Sequence, residues 1–125
     1  MTPVCLGTLP SSRLRRVTEY IQQNLGKDLT LAALAASVYM SPYHFARLFK
    51  RSTGVPPHRF VIRQRIARAR AFLARPELSI AQISRVVGFR SPSHFTTVFG
   101  RAMGITPTGY RARYLREERP GPEGG

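Results

Sequence analysis

Arginine dominates the side chains of this sequence that can do chemistry. Eighteen of the twenty basic residues are arginine, six residues are acidic, and the formal net charge is +14. From Leu29 to Arg116, fifteen basic residues stand against one acid, Glu77. Such a surface repels itself unless a polyanion neutralises it, and nucleic acid is the commonest such partner, with an anionic membrane surface as the main competitor. The guanidinium fork binds two acceptors at once, which suits phosphate oxygens and the O6/N7 edge of guanine. Other chemistry has little to build on. His44 and His94 occupy equivalent places fifty residues apart with no cysteine or acid cluster nearby, so packing or phosphate contact is expected of them rather than metal ligation. Cys5 stands alone, which leaves no disulfide framework and no cysteine metal cluster. With no Ser/His/Asp constellation, paired carboxylates or phosphate-binding glycine loop, neither an enzyme nor a cofactor is expected. No apolar run has the character of a signal segment or the length of a membrane span, so no membrane partner is expected and the expected location is the cytoplasm.

The elements that must position these arginines read as helices throughout, giving an all-α fold. Ser11 or Ser12 can cap a first helix carrying Leu14, Val17, Ile21 and Leu25 at helical spacing, with Gly26 at its end. Thr30 caps a short Ala/Leu-rich helix to about Val38. Ser41-Pro42 restarts the chain as N-cap and N1 proline, and Gly54 closes that helix. Pro57 opens a longer helix to about Ala74, with Ile62, Ile66, Ala69 and Leu73 in one stripe. Ser79 with Gln82 makes a capping box for a fifth helix, Ser91-Pro92 opens a sixth that Gly104 ends, and Thr106-Pro107 opens a seventh through Tyr114. Residues 1–10 are expected to be flexible and 117–125 disordered. The ordered part, 11–116, divides into a first unit (about 11–55), a linker helix (57–74) and a second unit (79–115).

An internal repeat organises the whole. Ser41-Pro42-Tyr43-His44-Phe45 recurs as Ser91-Pro92-Ser93-His94-Phe95, fifty residues on. The same offset relates Phe49 to Phe99, Arg51 to Arg101, Gly54 to Gly104, Pro57 to Pro107 and Phe60 to Tyr110. Upstream, Leu31/Ile80, Ala32/Ala81, Leu34/Ile83 and Val38/Val87 match at forty-nine, so the second copy has one extra residue around Gly88-Phe89-Arg90. Each copy is a short helix, a tight turn and a helix that starts at Ser-Pro: a helix-turn-helix, twice.

In each copy the second helix has two unlike faces. Phe45, Leu48 and Phe49 fall on one side of the first, and Tyr43, Ala46, Arg47 and Lys50 on the other. Phe95, Val98 and Phe99 mirror the apolar side in the second, opposite Ser93, Thr96, Thr97 and Gly100. A helix that buries one face and projects the other fits the DNA major groove. Amides at the starts of the supporting helices, near Thr30 and Ser79, are anion sites by the same geometry that places phosphates at helix N-termini. Lys50, Arg51, Arg59, Arg63, Arg90 and Arg101 are the expected phosphate neighbours, since the arginines of the long helix are scattered round it and only some can face DNA.

The stretch Gly88-Phe89-x-Ser91-x-Ser93-His94-Phe95-x-x-x-Phe99, followed by Gly104-x-Thr106-Pro107-x-x-Tyr110-Arg111, resembles the signature of AraC/XylS-family transcription regulators, and the likeness spans roughly Leu14 to Tyr114. The resemblance implies seven helices, two helix-turn-helix subdomains joined by a long helix, and binding to successive major grooves of promoter DNA. It also implies contact with RNA polymerase and transcription regulation, activation in particular. By the family's motif, base contacts fall at Tyr43, Ala46 and Arg47 in the first reading helix and at Ser93 and Thr97 in the second. The sequence departs from the family's pattern at Thr97 and Gly100, where members often carry basic residues, so the two halves are expected to read unequally. Two recognition helices in one chain make monomeric binding to an asymmetric site the expectation. Alternatives are the DNA-targeting module of an alkylation-repair protein, a fusion known in the family, and a nonspecific cationic nucleic-acid binder.

Overall fold

Small hydroxyl side chains set where most helices of this protein begin. The computed structural model describes residues 7–118. Among them run seven helices: α1 (Ser11–Gln23), α2 (Leu31–Ser37), α3 (Pro42–Thr53), α4 (Pro57–Leu73), α5 (Ile80–Val86), α6 (Pro92–Met103) and α7 (Pro107–Glu118). No strand occurs among the described residues, as expected for an all-α chain. Thr30 Oγ1 accepts from the Ala33 N–H at 3.0 Å. Ser41 and Ser91 Oγ accept from the N–H groups of His44 and His94 at 3.3 and 3.1 Å. Ser79 and Gln82 form the reciprocal box, Ser79 Oγ accepting from Gln82 N–H at 3.0 Å and Gln82 Oε1 from Ser79 N–H at 2.8 Å. Caps of this kind are worth about 1 kcal/mol each. Gly54 and Gly104 close α3 and α6 in the left-handed region, at φ 88° and 76°.

Several boundaries differ from expectation, each for a local reason. No serine caps α1; Pro10 stands at the N-cap and Ser11 is already helical. The helix stops at Gln23 rather than Gly26, because Asn24 turns its side chain back onto the Tyr20 carbonyl at 2.8 Å and competes with the backbone ladder. Leu25 is buried all the same, from the turn. Within the expected flexible start, Leu9 is buried and its N–H donates to Ser52 Oγ at 2.8 Å; residues 1–6 lie outside the described residues. The last helix continues past Tyr114 to Glu118, through residues of good helix propensity. The rest of the expected tail, 119–125, lies outside the described residues.

The chain divides within α4 into two compact units, Met1–Gln64 and Arg65–Gly125. In the first unit α2 packs against α1 and α3. Its core gathers Val17, Ile21, Leu34, Val38, Phe45, Phe49 and Val61, with the Phe49 ring meeting Phe60 edge-on at 5.2 Å. In the second unit α6 packs against α5 and α7. Here Ile66, Ala69, Leu73, Ile83 and Val87 are buried beside a run of rings: Phe89–Phe95 at 5.2 Å, Phe95–Phe99 at 5.6 Å and Phe99–Tyr110 at 5.6 Å. The stripe expected on α4 is therefore offset at its start: Val61 is fully in the first core while Ile62 is half-buried.

The two tight turns are built alike up to a point. Tyr39 and Gly88 both take positive φ, 59° and 99°. The next residue closes the turn in each, Met40 N–H donating to Ala35 O at 3.0 Å and Phe89 N–H to Ser84 O at 2.9 Å. Equivalence at an offset of forty-nine thus holds through Met40/Phe89, and the extra residue of the second copy is Arg90.

After α4 the second unit relies on one arginine. The Arg111 guanidinium donates to three carbonyls, Leu73 O at 3.1 Å, Arg75 O at 3.2 Å and Leu78 O at 2.6 Å. A helix C-terminus leaves carbonyls without intrahelical donors, and a cation placed there also complements the helix dipole. The equivalent of Arg111 in the first copy is Val61, which is buried and apolar, so only the second unit uses this device. Arg111→Ala is expected to lower unfolding stability by about 2 kcal/mol, the scale of charge-assisted hydrogen bonds lost from partly buried carbonyls. Arg111→Lys should recover less than half, since one ammonium cannot span three acceptors. Urea titration followed by circular dichroism measures both; a loss under about 0.5 kcal/mol for Arg111→Ala would refute the clamp's role, being the size of an ordinary surface change.

Candidate nucleic-acid interface

Two phenylalanines one turn apart decide which way each candidate recognition helix faces. Phe45 and Phe49 on α3 are fully buried, with rings 5.4 Å apart, and Phe95 and Phe99 do the same on α6. On α3 this leaves Tyr43, His44, Arg47, Lys50 and Arg51 exposed. On α6 it leaves Ser93, His94, Thr97 and Arg101 exposed. Of the residues expected to face outward on α3, Ala46 is the exception. It is half-buried and borders an apolar hollow with Leu29, Leu31, Leu34 and Pro57, which puts it at the edge of the exposed face. Thr96 and Gly100 sit at the corresponding margin of α6, both half-buried.

Arg47 and Tyr43 form a pair that sequence spacing alone did not single out. The guanidinium carbon lies 5.8 Å from the centre of the Tyr43 ring, one helical turn back. Such a cation–π contact is worth about 0.5–1 kcal/mol at an exposed site. It holds the fork toward the N-terminal end of α3, the end that enters a groove first in helix-turn-helix proteins. The signal was available, as an aromatic and an arginine at i, i+4 on a polar face. On α6 the positions equivalent to Tyr43 and Arg47 carry the short side chains of Ser93 and Thr97, and nothing lies within 4 Å of where a Cβ on Gly100 would be.

The candidate phosphate neighbours Thr30, Lys50, Arg51, Arg59, Arg63, Ser79, Arg90 and Arg101 are all exposed. At Ser79 the capping box occupies the residue's own N–H, so that amide is not presented to an anion. The remaining arginines of α4 have partners or are partly covered. Arg65 and Arg68 are half-buried, and Arg70 Nε donates to the Tyr110 hydroxyl at 3.4 Å. Glu77, the one acid between Leu29 and Arg116, pairs with Arg75 at 3.1 Å. A hydrogen bond from its own backbone N–H, helped by Arg75, holds its carboxyl below the ordinary range. His94 meets Phe89 edge-on at 5.5 Å, a packing contact. No group of three His, Cys, Asp or Glu among the described residues could hold a metal ion; Cys5 lies outside those residues. No helix among the described residues is long and apolar enough to cross a membrane.

Comparison with known proteins agrees with this geometry. Residues 34–113 match the family described as a helix-turn-helix domain. Among solved structures, the chain is similar to the DNA-binding domain of AdpA, a global transcriptional factor, in complex with a target DNA. The identity is 32% and the TM-score 0.81, covering 90% of this chain and 98% of that one. It is also similar to a transcriptional regulator with an AraC-type DNA-binding domain from Chromobacterium violaceum. There the identity is 30% and the TM-score 0.78, covering 89% of this chain and 96% of that one. Over 109 residues it is 38% identical to the regulatory protein PocR of Salmonella typhimurium, a match that takes in 87% of this chain and 36% of PocR. The chain thus spans little more than a third of that relative's length. Signature residues, paired helix-turn-helix units and these likenesses together place the chain in the AraC/XylS-type helix-turn-helix family.

Proposed function

We propose that this chain is the promoter-reading part of a transcription regulator, binding duplex DNA with α3 and α6 in successive major grooves. The observation that carries the reading is the two-faced recognition helix, present twice in a stretch from Leu29 to Arg116 with fifteen cations and one acid, in a chain similar to a domain solved on its target DNA. Tyr43 and Arg47 of α3, with Ala46 at the margin, and Ser93 and Thr97 of α6 face the bases. Lys50, Arg51, Arg59, Arg63, Arg90 and Arg101 neutralise phosphates, joined by Thr30 and Ser79 at the starts of the supporting helices. Two unlike helices in one chain remove the need for a symmetric partner, so one chain occupies one asymmetric site in the cytoplasm, where RNA polymerase is the further partner that family membership suggests. The chain contributes recognition and no catalysis. Selecting bound duplexes from a random pool tests the reading: enrichment of one non-palindromic sequence supports it, and a pool that stays random refutes it.

Binding to the selected duplex should weaken steeply with salt. Each neutralised phosphate contributes about −0.9 to the slope of log affinity on log salt, and a footprint of roughly five to nine contacts is expected. A nearly flat response in a sodium chloride series would remove nucleic acid as the principal partner.

The complex should contain one chain per duplex. Sedimentation or light scattering of the complex measures this, and two chains on a palindromic minimal site would be incompatible with the reading.

Base discrimination should reside mainly in α3. Arg47→Ala is expected to lose about 1–3 kcal/mol on the selected site and to relax preference at one base pair, the value of a bidentate guanine contact. Thr97→Ala should lose under about 1 kcal/mol, one neutral hydrogen bond. Titration of both variants against the site and its single-base changes measures the difference. An equal or greater loss for Thr97→Ala would reverse the assignment of the two halves.

A further inference from the structure

Tyr39 is the one described non-glycine residue with positive φ, at 59°. A bulky L-residue in the left-handed region is a true outlier, costing about 1–2 kcal/mol where glycine costs nothing. The equivalent turn of the second copy uses Gly88 there. Folding gets little in return for the tyrosine: the residue is 78% exposed, and the Arg16 guanidinium carbon 5.6 Å from its ring centre makes an exposed cation–π contact worth about 0.5–1 kcal/mol. Strain kept at an exposed residue points to a role outside the fold.

The position suggests which role. Tyr39 lies in the turn that runs through Met40 and Ser41 directly into α3. When a recognition helix lies in a major groove, the chain at its N-terminal end is brought alongside the sugar–phosphate backbone bordering that groove. Tyr39 offers a phenolic hydroxyl there, and Arg16, from α1, offers a guanidinium fork held against the same ring. Both are good phosphate donors. Arg16 also lines a small polar hollow with Ser12, Arg15 and Glu19. Glu19 offsets one of the two arginines, which leaves one net positive charge, suited to a single phosphate rather than a run of them.

We propose that Tyr39 and Arg16 together form a contact for one DNA backbone phosphate beside the N-terminal end of α3. The inference rests on the DNA-binding reading above and adds a residue from the turn and a residue from α1 to the interface. It also accounts for the unequal turns, since a tyrosine is retained only in the unit that carries the longer reading side chains.

The full chain is titrated with its selected duplex over a sodium chloride series, as wild type, Tyr39→Gly, Arg16→Gln and the double variant, with melting curves for each. Tyr39→Gly is expected to bind about five- to tenfold more weakly, equally so on single-base variants of the site, with the salt slope little changed because a phenol carries no charge. Its melting midpoint should stay level or rise by a few degrees, because the strain is relieved. Arg16→Gln should match the loss in affinity and also reduce the salt slope by about 0.9, and the double variant should be little worse than either, as for two groups on one phosphate. Unchanged affinity in Tyr39→Gly, or an unchanged salt slope in Arg16→Gln, would overturn the proposal. So would a midpoint lowered by several degrees, which would make Tyr39 a folding residue, or full additivity of the two losses. Failure of the underlying reading looks different: the wild type would then ignore duplex sequence before any variant is compared.

Discussion

Burial of a phenylalanine pair on each reading helix is the constraint from which the rest of the molecule follows. A helix with one anchored side chain can still roll about its axis. Two fully buried rings one turn apart, Phe45 with Phe49 and Phe95 with Phe99, remove that freedom. Each ring in a core contributes a few kcal/mol, and cores at native density accept few alternative seatings. The helix is thereby turned with its polar face outward. The serine caps and left-handed glycines then decide only where the helix starts and stops.

Electrostatics works in the opposite sense to the core. Fifteen cations against one acid between Leu29 and Arg116 raise the energy of any compact state, so hydrophobic packing must overcome repulsion that a bound polyanion would relieve. The chain spends some of its arginines internally: Arg111 across three carbonyls, Arg70 on Tyr110, and Arg75 on Glu77. Those left exposed lie on α1, on or beside α3, on the first half of α4, on α5, around α6 and on α7. Residues of one type are therefore both spent within the fold and left on its surface, and composition alone cannot tell them apart.

Much of this was legible in the sequence because it depends on short-range rules. The hydroxyl caps before α2, α3, α5 and α6, the proline at the start of α3 and α6, and the fifty-residue repeat all act within one or two turns of chain. What escaped depends on partners distant in sequence or on backbone torsion. Arg111 looks like any other exposed cation until the end of α4 is brought beside it. Asn24 competes with Gly26 to end α1, and a rule that reads glycine as the stop misses a side chain bonding its own helix. Ala46 has the right helical phase for the outward face, yet the chain around Leu29, Leu31 and Pro57 rises beside it. Nothing in the residue types beside Tyr39 announces a left-handed turn; only the glycine opposite it in the sister turn does.

The fifty-residue repeat has a consequence for how such a protein changes over time. Positions that must match between the copies are those that pack: Phe45 and Phe95, Phe49 and Phe99, Leu34 and Ile83, Val38 and Val87. Positions that differ, Tyr43 against Ser93, Arg47 against Thr97 and Lys50 against Gly100, carry no packing duty, and at Gly100 there is open room for a side chain. A duplicated ancestor could therefore keep one architecture under selection while its two exposed faces drifted apart. Half of a regulator's address can then be rewritten while the other half keeps it bound near its old gene, so that new targets are acquired by small steps rather than by replacement.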